Sequence, residues 1–135
     1  MTRGASKSTA ERIRLRARGL CEYCLLPDTL AAVPFQVDHI LARHHGGSGA
    51  DDNLAWSCYN CNSAKGPNLA SLDPKAGRIT PPFHPRNDRW HDHFRVRDGV
   101  IIPSTAKGRT TVFLLKMNSL SSCSLRRALE QTNRI

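Results

Sequence analysis

The first element that the sequence predicts is a helix near the N-terminus. Ser8-Thr9-Ala10-Glu11 has the form of a capping box, in which Ser8 caps the helix and the Glu11 side chain reaches back to it. The pattern predicts a helix over residues 9–18 that ends at Gly19. Residues 35–40 alternate between apolar and polar side chains, which predicts a strand.

The segment after this strand changes to polar, glycine-rich sequence. Residues 44–52 predict a loop, in which glycines permit a tight reversal. A short helix is predicted to begin near Tyr59, with Asn62 and Lys65 three positions apart on one face. Asp38 and His39 are neighbours on the predicted strand, so their side chains should point to opposite faces unless the strand bends.

The second half of the chain gives weaker patterns. Residues 73–90 are rich in proline, and we expect them to cross the surface without regular structure. Residues 93–102 alternate around Asp98-Gly99, which predicts a β-hairpin. An apolar cluster within residues 107–118 predicts a helix, and residues 124–131 predict a last short one.

The charge points to a polyanionic partner. Lys and Arg number 20 against 11 Asp and Glu, which gives a net charge of +9. Such a balance favours binding of nucleic acid, although a basic surface also serves solubility alone. Near the N-terminus, four arginines at alternate positions resemble a phosphate-facing element: Arg12, Arg14, Arg16 and Arg18. With no long apolar segment and no signal peptide, we expect a cytoplasmic protein that does not enter membranes.

The cysteines indicate a metal site. Cys21 and Cys24 form one Cys-x-x-Cys pair, and Cys58 and Cys61 form another. Two such pairs predict a structural zinc ion with four thiolate ligands and no open coordination position. The alternatives are a redox pair, which explains one motif and not two, and chance. Cys123 has no partner in this pattern.

Several polar residues between and beside the two pairs are suited to catalysis. Each also has an ordinary structural interpretation. His39 fits a packed core histidine, Asp38 a turn cap, Asn53 a helix N-cap and Asn62 a helix surface. Their order inside a zinc-bound segment favours the functional interpretation.

Together these residues resemble the HNH endonuclease family in its four-cysteine zinc form. The resemblance covers residues 19–66 and rests on the pattern C-x2-C, VDHI, GG, DNL and C-x2-C-N-x2-K-G. It implies an α+β protein with a small ββα-metal (His-Me finger) core, stapled by the cysteine site and followed by a C-terminal hairpin and helix extension. It also implies hydrolysis of DNA phosphodiester bonds.

The resemblance assigns roles to individual residues. Asp38 and Asn62 would hold one catalytic divalent cation, for which their oxygens suit Mg²⁺. His39 would be the general base. Asn53 would orient the loop or His39, and Arg43 and Lys65 are candidate phosphate contacts. Many family members carry His where this chain has Asn62. His44 and His45 fall between family landmarks and are interpreted as loop residues.

The predicted organisation has three parts: a basic helix at residues 1–18, a nuclease core at 19–72 and an extension at 73–135. In the extension we expect Trp90, His93 and Phe94 to pack onto the core. The alternative for the extension is a second nucleic-acid surface formed by its arginines: Arg86, Arg89, Arg95 and Arg97. No base-reading module is visible, so low sequence specificity is expected. The alternative function is a non-catalytic, zinc-stapled module that binds DNA or RNA. The oligomeric state is left open.

Overall fold

A computed structural model describes residues 5–132 and mixes helices with small sheets. The helices are α1 (Lys7–Arg16), α2 (Tyr59–Lys65), α3 (Trp90–His93), α4 (Ala106–Leu115) and α5 (Leu120–Gln131). The strands are β1 (Gln36–His39), β2 (Leu54–Ser57), β3 (Ser71–Leu72), β4 (Ile79–Thr80), β5 (Phe94–Arg97) and β6 (Val100–Pro103). They pair consecutively into antiparallel two-stranded sheets. The α+β fold class is therefore confirmed.

Strands β1 and β2 and helix α2 form the predicted ββα unit. The register places Asp38 opposite Ala55 and His39 opposite Leu54. Helix α2 starts directly after β2, because the Cys58 side chain accepts the Cys61 N–H and caps it. The four residues of β2 are all buried, so both faces of this strand are covered, whereas in β1 only Asp38 is buried.

Helix α1 starts earlier than the sequence predicted. Its N-cap is Ser6, whose hydroxyl accepts the Thr9 N–H at 3.2 Å, so the prediction of Ser8 is wrong. The two serines lie two positions apart, and only Ser6 has the extended backbone that a cap requires. The helix ends at Arg16, and Gly19 then takes a positive φ of 74° that reverses the chain.

The N-terminal arginines contact other segments of the chain. Arg12 pairs with Asp51 at 2.8 Å, and Arg14 pairs with Asp28 at 2.7 Å. Arg16 donates to the carbonyl oxygen of Asp51 at 2.9 Å. These contacts attach α1 to the segments that hold Asp28 and Asp51. Arg12 and Arg16 remain exposed, and the phosphate-facing element stays a prediction.

The proline-rich segment is more ordered than the sequence predicted. It contains strand β4, which pairs with β3, and the turn between them holds Asp73. Asp73 is fully buried and accepts two hydrogen bonds from the Arg109 guanidinium, at 2.9 and 2.8 Å. This ion pair fixes the segment to α4. The expectation of a segment without regular structure is wrong for β4 and holds for most of the other residues.

The rest of the extension agrees with the predictions made from the sequence. The β5–β6 hairpin turns at Asp98 and Gly99, which both have positive φ, at 52° and 81°. Helix α4 confirms the predicted helix, and α5 is longer than predicted because Ser119 caps it. Among residues 5–132, no helix is long and apolar enough to cross a membrane.

One hydrophobic core joins the extension to the ββα unit. Phe83 and Phe94 of the extension are buried in the same cluster as Tyr23 and Leu54. The Trp90 indole N–H donates to the Tyr23 carbonyl oxygen at 2.9 Å, as expected of a packing residue. Arg86 forms an ion pair with Glu22 and is part-buried, so it does not belong to a free basic surface.

Candidate functional site

The four cysteines of the two Cys-x-x-Cys pairs meet in one cluster. Their Sγ atoms all lie within 4.8 Å of one another, and the Cys24 and Cys58 sulfurs are 3.7 Å apart. A tetrahedral zinc ion with Zn–S bonds near 2.3 Å requires sulfurs about 3.8 Å apart. The Cys24 and Cys61 N–H groups point at the Cys21 and Cys58 sulfurs, at 3.5 and 3.3 Å. The cluster therefore fits a four-thiolate zinc site.

Cys123 lies apart from this cluster. It is buried on α5, and its sulfur lies 3.7 Å from both the Asn118 side-chain oxygen and the Arg126 guanidinium. It is a packed thiol outside the metal site.

A cleft of about 620 Å³ opens on the other side of the ββα unit. Asp38 and His39 line it from β1, Asn62 lines it from α2, and Arg43 and His44 line it from the loop that follows β1. The fold thus brings together residues from three separate segments. Asn53, Lys65 and His45 do not line it.

Asp38 is the least accessible side chain of the cleft. It is 4% exposed, and its Oδ2 accepts the Tyr23 hydroxyl at 2.6 Å. Its Oδ1 faces the Lys65 ammonium at 3.3 Å. Burial raises the pKa of Asp38 above its usual value, against the opposing effects of Lys65 and Tyr23. A carboxylate oxygen has two lone pairs, so each oxygen of Asp38 has one left for a ligand in the cleft.

His39 follows on the partly exposed side of the strand. Its Nε2 accepts the Arg43 Nε–H at 3.2 Å. Burial lowers the pKa of His39, and the nearby charge of Arg43 lowers it further, while Asp38 acts in the opposite direction. The imidazole is therefore neutral near pH 7, the form that can accept a proton.

Asn62 reaches the same cleft from α2. Its side-chain N–H donates to the Gln36 side-chain oxygen, which directs the amide. Within residues 5–132, no donor contacts the Asn62 Oδ1 atom. The cleft thus offers one carboxylate and one amide oxygen, a donor set that suits a hard divalent cation.

Asn53 organises the loop that borders the cleft. Its side chain accepts the Leu41 N–H at 2.8 Å and donates to the carbonyl oxygens of Leu41 and Ser48, at 3.0 and 2.7 Å. Gly47 closes the same loop, since a Cβ there would lie 1.7 Å from the Leu41 carbonyl oxygen. Asn53 contacts the loop and not His39.

Lys65 does not have the environment of a phosphate contact. It is 2% exposed, and its ammonium lies between Asp38 and the His39 carbonyl oxygen, at 3.3 and 3.2 Å. The sequence prediction for this residue is therefore wrong. The spacing of Lys65 from Asn62 predicted which face of α2 it occupies. It did not predict that Lys65 is buried, because that burial depends on the packing of α2 against β1.

Two contacts of the site were missed in the sequence. Tyr23 lies inside the first Cys-x-x-Cys turn, and Gln36 begins β1. The available signal for Tyr23 was its position, because an aromatic side chain inside a chelating turn has to pack against a neighbouring part of the protein. Nothing in the sequence distinguished Gln36.

Comparison with known proteins bears on the segment that contains both sites. Residues 21–68 match the family model described as HNH endonuclease. This match includes the four cysteines, both strands of the ribbon and α2. Among curated proteins and solved structures, nothing matched the chain.

Proposed function

We propose that this chain, whose residues 21–68 carry an HNH-family domain, is an endonuclease that hydrolyses DNA phosphodiester bonds. The family match supports a nucleic-acid substrate. The observation that carries the proposal is the convergence of Asp38, His39 and Asn62 on one cleft of the ββα unit. The choice of DNA follows from the family resemblance.

His39 acts as the general base in this proposal. Its neutral imidazole takes a proton from the attacking water as the water approaches phosphorus. The Arg43 guanidinium, at 3.2 Å from His39 Nε2, lies where it can shift to a phosphate oxygen when substrate enters.

Asp38 and Asn62 would hold the divalent cation, and their all-oxygen donor set suits Mg²⁺. When bound, such a cation neutralises charge on the phosphate and on the leaving oxygen. Lys65 and Tyr23 hold the Asp38 carboxylate, Gln36 directs the Asn62 amide, and Asn53 shapes the adjoining loop.

The surroundings fit a substrate recognised through its backbone. The net charge of +9 attracts phosphate, and no base-reading module was found in the sequence. We propose cleavage with little sequence preference, one strand at each encounter, by a cytoplasmic enzyme with a basic N-terminal helix, a core at residues 19–72 and an extension at 73–135.

The test is cleavage of supercoiled plasmid with Mg²⁺ or with EDTA. Wild-type protein should nick the plasmid only with Mg²⁺, and His39→Ala should lose about 10²–10⁴-fold in rate. His45→Ala is the matched control, because His45 is exposed in the same loop and outside the cleft. Zinc content measured in every sample shows that folding is not the variable.

The burial of Asp38 favours one competing function, a zinc-stapled module that binds nucleic acid without cutting it. In that case the carboxylate serves only Tyr23 and Lys65. Wild-type protein that retards DNA on a gel and contains zinc, but leaves the plasmid supercoiled with Mg²⁺, would establish the binding module and exclude the nuclease.

A further inference from the structure

Tyr23 connects the cysteine cluster to the cleft. It lies between Cys21 and Cys24, it is fully buried, and its hydroxyl donates to Asp38 Oδ2 at 2.6 Å. The bond joins a residue of the first chelating turn to a residue of β1 that lies 15 positions further along the chain. Glu22 of the same turn also contacts a residue that lines the cleft, but it does so through the Trp56 backbone.

The position of the Tyr23 hydroxyl is fixed from several sides. The flanking cysteines hold its backbone in the chelating turn, and its carbonyl oxygen accepts the Trp90 indole N–H at 2.9 Å. Its ring packs edge-on against Phe83, with 6.4 Å between the ring centres. A phenol held at its backbone and its ring has little freedom to follow a moving carboxylate. The carboxylate must instead adopt the orientation that the phenol dictates.

The helix that follows the second Cys-x-x-Cys pair holds the other oxygen of the same carboxylate. Helix α2 is capped by Cys58 and ends at Lys65, whose ammonium faces Asp38 Oδ1 at 3.3 Å. One donor therefore comes from the first turn and the other from the helix that the second turn begins, and the two donors contact different oxygens. This arrangement fixes the plane of the carboxylate and leaves its remaining lone pairs in defined directions.

We propose that Tyr23 is a positioning residue for the catalytic cation, acting through Asp38, so that the cysteine cluster sets the geometry of the cleft. The inference rests on the proposed function, since it requires that Asp38 bind a cation. Hydrogen-bond partners of metal-binding carboxylates typically contribute 10–100-fold to metal affinity or activity. A purely structural Tyr23 would contribute to stability alone.

The test is Tyr23→Phe, which removes the hydroxyl and keeps the ring. The chain has two tyrosines, and the matched control is Tyr59→Phe, in the second Cys-x-x-Cys turn and 48% exposed. Mn²⁺ affinity is measured from the electron paramagnetic resonance signal of the free ion. The Mg²⁺ concentration for half-maximal nicking and the zinc content are measured on the same samples.

We expect Tyr23→Phe to keep its zinc, to bind Mn²⁺ about 10–100-fold more weakly and to need correspondingly more Mg²⁺. Tyr59→Phe should match the wild type in all three measurements. Unchanged Mn²⁺ affinity in Tyr23→Phe would overturn the inference and leave the nuclease intact. Wild-type protein that neither binds Mn²⁺ nor nicks DNA would overturn the proposed function itself, before any variant is compared.

A second measurement covers the case in which Tyr23→Phe does not fold. In Tyr59→Phe protein grown with 3-fluorotyrosine, the single remaining tyrosine position gives one fluorine resonance. Titration with Mg²⁺ should shift this resonance at the concentrations that support nicking, because the cation pulls on the carboxylate that the phenol contacts. A resonance that Mg²⁺ leaves in place would count against the link.

Discussion

The cysteine cluster and the cleft lie on the same ββα unit but differ in access. The cluster is closed, since its four thiols are nearly or fully buried and would fill a zinc coordination shell. The cleft is open, with Arg43 and His44 exposed and His39 and Asn62 partly so. Substitution in the first region should unfold the protein, and substitution in the second should leave it folded.

Asp38 does not fit this division into a closed cluster and an open cleft. It lines the open cleft, but it has the burial of a core residue and an internal ion pair. A change at Asp38, or at the two side chains that hold it, should therefore affect stability and cation binding together.

Loss of a cluster ligand should have the largest effect. We expect Cys61→Ser to lose zinc and to lose the cooperative unfolding transition, because structural zinc sites contribute directly to folding free energy. Cys123→Ser is the control, since Cys123 is also buried but lies outside the cluster. Zinc content and thermal unfolding measure both. A folded, zinc-free Cys61→Ser protein would refute the view of the cluster as the structural region.

Lys65→Met should destabilise the protein strongly although it removes no core packing. It leaves Asp38 buried without its cation, and breaking a buried pair in this way costs about 3–5 kcal/mol. Urea unfolding gives the change in free energy, with Lys75→Met, at an exposed position, as the control. Adding Asp38→Asn should recover part of the loss, and a double variant that is no more stable than Lys65→Met would contradict the pairing.

Asn62→His should change the metal preference with little effect on stability. An imidazole nitrogen in place of the amide oxygen favours softer ions. We expect nicking to become relatively better with Mn²⁺, Co²⁺ or Ni²⁺ than with Mg²⁺. Asn60→His, exposed on the same helix, is the control. An unchanged order of metals would remove Asn62 from the proposed ligands.

Arg43→Gln should give the smallest effect, a shift in pH dependence. The Arg43 charge helps to lower the pKa of His39, so its removal should raise that pKa. A general base is active when neutral, and activity falls as pH drops through its pKa. The acidic limb of the rate profile should therefore move to higher pH in Arg43→Gln, while Arg89→Gln, at an exposed residue of the extension, leaves it in place. A limb that stays fixed in Arg43→Gln would argue against His39 as the titrating base.

The local elements of the core could be predicted because each depends on nearby sequence. Short-range signals in the sequence indicated the two Cys-x-x-Cys turns, the alternation before Asp38 and the helix after Cys58. The resemblance to the family pattern then indicated that they belong to one unit. The hairpin at Asp98-Gly99 was predictable for the same reason, since positive φ at both positions is common for Asp and Gly.

Apart from the N-cap of α1, the contacts that the sequence did not predict join residues that are distant in sequence. Arg12 and Arg14 looked free because Asp51 and Asp28 lie far along the chain, and folding brings them together. Lys65 looked like a phosphate ligand because its pairing with Asp38 exists only after α2 packs on β1. Residues 73–90 were expected to be irregular because the pairing of Asp73 with Arg109 exists only once α4 has packed against them.

The register of β1 against β2 has a practical consequence for inserting foreign peptides. A one-residue insertion within β1, before Asp38, would move Asp38 to the opposite face of the strand and turn the carboxylate away from Tyr23. The loop tip is different, because residues 48–50 are exposed and a side chain at Gly49 would meet nothing within 4 Å. Gly47 and Asn53 close the loop on either side of that tip. A reporter peptide placed at Gly49 would therefore sit beside the cleft without altering the strands that form it.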